Sequence, residues 1–210
     1  MRNLALNSLF ALLALASCSP RILGGYEKIG AESLPRSAFC PFFPAADSSQ
    51  VFNLQIDFRK NHFSGILLVK NTAPNVYRMA FNSHFGMGVF DFELSPDDFK
   101  VLQCVEDLNK KQAINTLAED FRILLFLNID EWNEAERFQN RENPDLEILK
   151  KDKHYYLKNN DLQELTGIER PRFFNSVHYV FDEFEAKFPS KIEIKHSNIG
   201  LTLKLDKIHK

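Results

Sequence analysis

The sequence predicts a mainly β, α+β fold: an antiparallel sheet of about ten strands, long enough that it must curl or close, with one firm helix. Three observations predict it. Apolar and polar residues alternate with a period of two in many short segments divided by turn residues. Only one segment has the periodicity of a long amphipathic helix. The aromatic content is skewed to 20 Phe against 5 Tyr and 1 Trp, and Phe supplies apolar area without a polar handle.

The chain opens with Arg2 and an apolar run from Leu4 to Ala16, broken only by Asn7 and Ser8. A membrane-spanning helix needs about 20 apolar residues, so residues 1–17 read as a secretory signal cleaved before Cys18. Leu15-Ala16-Ser17-Cys18 resembles the lipobox of bacterial lipoproteins. That resemblance implies that Cys18 is acylated and becomes the mature N-terminus. The next residue is Ser19, not the Asp that signals inner-membrane retention, and the implied address is the periplasmic side of the outer membrane. Residues 18–50 hold Pro20, Gly24, Gly25, Gly30, Pro35, Pro41 and Pro44 with little periodicity. They read as a lipid-anchored linker and a lead-in around Phe39 to Phe43. The folded domain is expected over 51–210.

From Val51, Phe52, Leu54, Ile56 and Phe58 alternate with polar residues, as in a half-buried strand. Asn61-His62 reads as a turn into a strand over Phe63 to Lys70. The cluster Asn71 to Asn75 is turn chemistry before Val76 to Phe81. A glycine-bearing loop leads to Val89–Leu94, where Phe90, Phe92 and Leu94 share a face. Ser95-Pro96-Asp97-Asp98 turns again before Phe99 to Val105. Five strands on short turns make an antiparallel meander.

The helix follows. Ile114, Leu117, Ala118, Phe121, Leu124 and Leu125 recur at helical spacing, with Asn115, Glu119, Asp120 and Arg122 on the other side. Asn128 to Pro144 has no clear period and reads as a short helix around Trp132 to Phe138 or as a mobile segment. Leu146–Lys150 and His154–Lys158 form a hairpin. Asp161 to Pro171 is a connection, and Phe173 to Phe184 alternates again, with Val177, Tyr179 and Phe181 on one side. Lys191–Lys195 and Ile199–Ile208 pair across His196-Ser197-Asn198. One helix cannot cover so long a sheet. The remaining apolar surface is therefore either a filled core or a greasy cavity.

Near-neutral charge (−2) without a basic stripe gives no support for nucleic acid. The six histidines are scattered, with no pair at metal-ligand spacing. No nucleophile elbow occurs, and Gly86-Met87-Gly88 lacks the third glycine and the following helix of a dinucleotide fingerprint. An enzyme, a metal and a cofactor other than the covalent lipid on Cys18 are not expected. In an oxidising compartment Cys40 and Cys104 are candidates for a disulfide contributing about 4 kcal/mol. Two separate thiols are the alternative that sequence leaves open.

The run Phe63-Ser64-Gly65-Ile66-Leu67-Leu68-Val69-Lys70, then Tyr77 to Phe81, then His84-Phe85-Gly86, resembles the first strands of LolB-like outer-membrane lipoproteins. Phe188-Pro189-Ser190-Lys191-Ile192-Glu193-Ile194 and Gly200 to Leu205 resemble the closing hairpin of the LolA/LolB fold. The resemblance covers Val51 to Leu127 and Phe173 to Ile208. It implies a curved sheet forming an incomplete β-barrel closed by one or more helices around a hydrophobic cavity for acyl chains, a soluble LolA-like periplasmic carrier as donor, and transfer of lipoproteins into the outer membrane by a monomer. It also implies a protruding insertion loop at His84, Phe85 and Gly86 with Phe85 at its tip, where that family usually has leucine. The regular apolar faces nominate the acyl-cavity lining: Phe52, Leu54, Phe58, Phe81, Phe90 and Phe92 from the meander, Leu117 and Phe121 from the helix, and Val177, Phe181, Leu201 and Leu203 from the closing strands. A glycolipid or phospholipid is the alternative cargo. A structural or assembly lipoprotein with a filled core is the reading from another class.

Overall fold

A computed structural model describes residues 21–35, 49–127, 131–171, 176–185 and 188–209. A short 3-10 turn (Arg21–Leu23) precedes β1 (Tyr26–Pro35). The meander follows as β2 (Ser49–Phe58), β3 (Asn61–Ala73), β4 (Val76–Ser83), β5 (Gly88–Leu94) and β6 (Phe99–Cys104), then the helix α1 (Lys111–Leu124). The second half is β7 (Glu131–Asn140), β8 (Leu146–Lys151), β9 (His154–Asn159), β10 (Glu164–Arg170), β11 (Val177–Glu185), β12 (Phe188–His196) and β13 (Leu201–Lys207).

All thirteen strands belong to one sheet, in the order β1-β7-β8-β9-β10-β11-β12-β13-β2-β3-β4-β5-β6. Every ladder is antiparallel, and β1 and β6 are the two free edges, so the sheet does not close. The central crossover is between β13 and β2, where Leu203 faces Ile56 and Leu205 faces Leu54. Burial alternates strictly along β2, with Phe52, Leu54, Ile56 and Phe58 inward. Registered rows carry that inward face across the sheet. One runs Tyr156, Ile168, Tyr179, Ile194, Leu203, Ile56, and another runs Phe52, Leu67, Phe81, Phe90, Cys104.

Curvature follows from what α1 touches. Glu119 pairs with Arg170 on β10, and Asp120 bonds to Tyr179 on β11 and His196 on β12. Phe121 meets Phe90 on β5 with ring centroids 6.3 Å apart. Arg122 donates to the carbonyls of Ser95 and Asp98 in the β5–β6 turn. Strands β10 and β5 are seven places apart in the sheet, which is about 34 Å if it lay flat at ordinary strand spacing. Four consecutive residues of one helix reach both, so the sheet curls around α1. The helix lies in the concavity.

The described residues form thirteen strands where about ten are expected. The extra strands fall in segments read as irregular: the tether and lead-in region contributes β1, Asn128 to Pro144 contains a strand (β7) in place of the expected helix or mobile segment, and the connection after Asp161 contains β10. β1 carries charged residues along its length, its side chains are mostly exposed, and it is joined to β7 by its ladder and by the ion pairs Lys28–Glu136 and Glu32–Arg137. An edge strand of that kind has no hydrophobic period to detect. The helix itself spans 14 residues and keeps the predicted apolar face, except that Asp120 is buried rather than on the polar side.

Candidate functional site

The β4–β5 connection is a tight, self-braced turn. Ser83 N–H donates to the Met87 carbonyl at 2.8 Å, Gly86 N–H donates to the Ser83 carbonyl at 2.9 Å, and Met87 N–H donates to Ser83 Oγ at 3.1 Å. Gly86 has φ +80, a left-handed conformation that glycine adopts without penalty. These bonds use up the turn's backbone groups at its base, so the intervening His84-Phe85 projects outward. Phe85 is 99% exposed and Met87 is 62% exposed. A fully solvated phenylalanine leaves apolar area in water worth about 2 kcal/mol or more on burial. Nothing within the fold satisfies it. Met87, beside it, carries no sequence signal of exposure, since a methionine between two glycines belongs to no apolar period.

The loop is anchored by close backbone approach behind it. A Cβ on Gly65 would lie 2.0 Å from the Asn82 carbonyl oxygen, so β3 and β4 meet where only glycine fits. Below the loop lies the Phe-rich interior. All twelve nominated lining residues are buried in one cluster, none more than 3% exposed. Phe90 stacks on Phe92 at 4.1 Å with rings nearly parallel, Phe81 meets Phe90 at 5.3 Å, and Phe99 closes edge-on against Phe92 at 5.0 Å. Such geometries add to plain area burial.

A polar cluster crosses this interior on its β10–β12 side. Tyr179 Oη donates to Asp120 Oδ1 at 2.8 Å, and His196 Nε2 bonds to Asp120 Oδ2 at 2.8 Å. Both carboxylate oxygens are therefore satisfied, as a buried acid requires. Burial still pushes Asp120 above the ordinary carboxylate value, against the pull of His196 and Tyr179, and holds the Tyr179 hydroxyl well above its own. The side chain of Arg170 is 4% exposed and reaches Glu119 at 2.5 Å at the mouth of a cleft of about 240 Å³, which Thr116 and Asn115 also line. His154 has a buried, unpartnered Nε2, and burial, with the charge of Arg170, pushes its pKa down. No linear motif marks this cluster, because its members come from α1, β9, β10, β11 and β12. Its role is packing: it fixes α1 to the closing strands.

Cys104 carries a free thiol, pushed up to about 11 by burial. Its candidate partner Cys40 lies outside the described residues, as do Cys18 and the secretory signal. Among the described residues no three His, Cys, Asp or Glu side chains gather in a way that would hold a metal ion.

No family model and no curated protein matches the chain. Among solved structures it is similar to a LolA superfamily protein from Nitrosomonas europaea, at 12% identity and a TM-score of 0.43, over 82% of this chain and 89% of that one. The reading of the site therefore rests on the chain's own residues.

Proposed function

We propose that this protein is an outer-membrane-anchored lipoprotein that binds acyl chains of other lipoproteins, accepts them from a soluble periplasmic carrier and releases them into the membrane at the Phe85 loop. The observation that carries the reading is Phe85, 99% exposed at the apex of a braced turn. An apolar side chain held out by the backbone is suited to enter a lipid surface. Cys18, acylated, would hold the domain beside the receiving leaflet, raising the local concentration of cargo there. The twelve inward residues from Phe52 to Leu203 are packed against one another and α1, and on their apolar surface, once uncovered by movement of α1, each buried CH₂ of an acyl chain would gain about 0.8 kcal/mol. No covalent chemistry is needed for such a transfer.

Replacing Phe85 with Glu tests this directly. The expected outcome is that the variant still binds a purified lipoprotein but delivers it poorly to vesicles. Unchanged delivery removes the loop from the mechanism. A second reading is favoured by the dense aromatic packing around Phe90 and Phe92: an assembly lipoprotein whose interior is a filled core. A fluorescent fatty acid separates the two, because a filled core leaves it in solution. Native mass spectrometry of the protein as isolated would identify a glycolipid or phospholipid cargo by what co-purifies.

A further inference from the structure

The strand directions sort every connection to one of two rims. The Phe85 turn shares its rim with the β2–β3, β8–β9 and β12–β13 turns, the β10–β11 connection and the approach to α1. Among the described residues that rim carries Arg59, Lys60, Lys110, Lys111, Lys151 and Lys153, against Glu106, Asp107 and Asp152. The opposite rim carries Asp97, Asp98, Glu142, Asp145 and Asp161 against Arg141 alone in its described connections. Net charge near zero thus conceals a molecule with a basic end and an acidic end. Arg59, Lys60, Lys110 and Lys153 are exposed. Among the described residues the acidic end has no exposed apolar tip to match Phe85 and Met87, only Leu162 at 53%.

We infer that the Phe85 rim is the surface by which this protein docks on a bilayer, and that it selects bilayers bearing anionic headgroups. The inference rests on the membrane-facing role given to Phe85 above and adds the chemistry of the surface it meets. Charge complementarity chooses the occupant: cations outnumber acids on the rim that carries the apolar wedge, so headgroup phosphates can meet the cations while Phe85 and Met87 reach the acyl boundary. Lys60 is placed to contribute, because the β2–β3 turn stands on strand ends that run past the last β3–β4 pair at Gly65–Ser83. A lysine close to an anionic surface contributes about 1 kcal/mol, or roughly fivefold in affinity. The acidic rim is repelled by the same surface. The two ends together orient the domain with its Phe85 loop toward the lipid, and the effect weakens with salt.

The test uses a chain beginning at Ser19, which keeps every described element, so that no lipid anchor masks the rim. Sedimentation with phosphatidylcholine vesicles is compared with sedimentation on vesicles that also contain phosphatidylglycerol. The expected result is binding that requires phosphatidylglycerol, is weakened by salt, falls roughly fivefold or more in Lys60→Glu, and is little changed in Lys70→Glu. Lys70 lies on β3 toward the acidic rim, and the two variants change net charge equally. Equal losses in both variants, or equal binding to both kinds of vesicle, overturns the inference, and the rim then faces a protein or open solvent. The fluorescent fatty acid reports separately on the cargo. If vesicles bind as expected while the fatty acid does not, the docking surface stands and the acyl-carrier reading falls. If the fatty acid binds and vesicles show no headgroup preference, the outcome is the reverse.

Discussion

Phe85 is held clear of the fold by a turn whose shape depends on Gly86 and Ser83. Asp120, at a place on α1 where an aspartate ordinarily meets solvent, is buried. Its bonds to Tyr179 and His196 come from strands 59 and 76 residues away, and no local period encodes such distant partners. Gly65 carries the sharpest prediction at this scale. Its missing Cβ is what lets β3 reach the Asn82 carbonyl, and backbone cannot rotate away as a flexible side chain would. Gly65→Ala is expected to cost about 3 kcal/mol, at the upper end for overpacking, and to lower the melting temperature by roughly 10 °C in a chain of this size. The bulk of Leu67 and Phe81 two positions away stays in place, so the loss would report the close approach itself. A change below about 1 kcal/mol would mean that the two strands part easily beside the Phe85 loop.

Among the elements, those that were legible are those with one dry face. β2, β5 and α1 show their period because water lies on one side and core on the other. β1 and β7 were not legible, since charge occupies both faces and the stabilisation is electrostatic and in the backbone ladder. Arg137 concentrates that stabilisation: it reaches Glu147 on β8 in one direction and Glu32 on β1 in the other. Glu147 is almost wholly buried at 3% side-chain exposure. Burial alone would raise its pKa, but the bonds from Arg137 and Asn160 win and hold it below the usual value. A carboxylate depressed in the folded state contributes stability above its unfolded pKa and loses it as acid protonates the folded form. Arg137→Met is therefore expected to destabilise the protein by about 2 to 3 kcal/mol at neutral pH, since it leaves a buried charge with only Asn160. The variant should lose less than the wild type on acidification through the carboxylate range, because the protonated Glu147 no longer forfeits an ion pair. Urea titrations at neutral and acid pH measure both. Equal destabilisation at both pH values would mean that Arg137 acts through packing.

At the scale of the whole molecule, the sheet has a firm half and a loose end, and the sequence pattern marks the same division. β13, β2 and β3 sit in the middle of the strand order, each flanked on both sides, with Leu203, Ile56, Leu54 and Leu67 fully buried. β1 is an edge whose register slips between Lys28 and Gly30 and again between Glu32 and Leu34. Among the described strands β7 alone pairs with it, and its mostly exposed residues add little apolar burial. Local opening needs only as much free energy as the contacts it breaks. Hydrogen exchange should therefore release the amides of β1 first among the strands. Those of β13, β2 and β3 should exchange last, near the global unfolding limit. The amides of α1 belong with the slow group, because opening the helix would strip the concavity of Phe121 and leave Asp120, Tyr179 and His196 unpaired in an apolar interior. If α1 instead exchanged as early as β1, the helix would be a loosely held plug, and the interior would be open to ligands without unfolding the sheet. Exchange of α1 thus distinguishes a carrier that breathes from a filled core, independently of whether any cargo has been found.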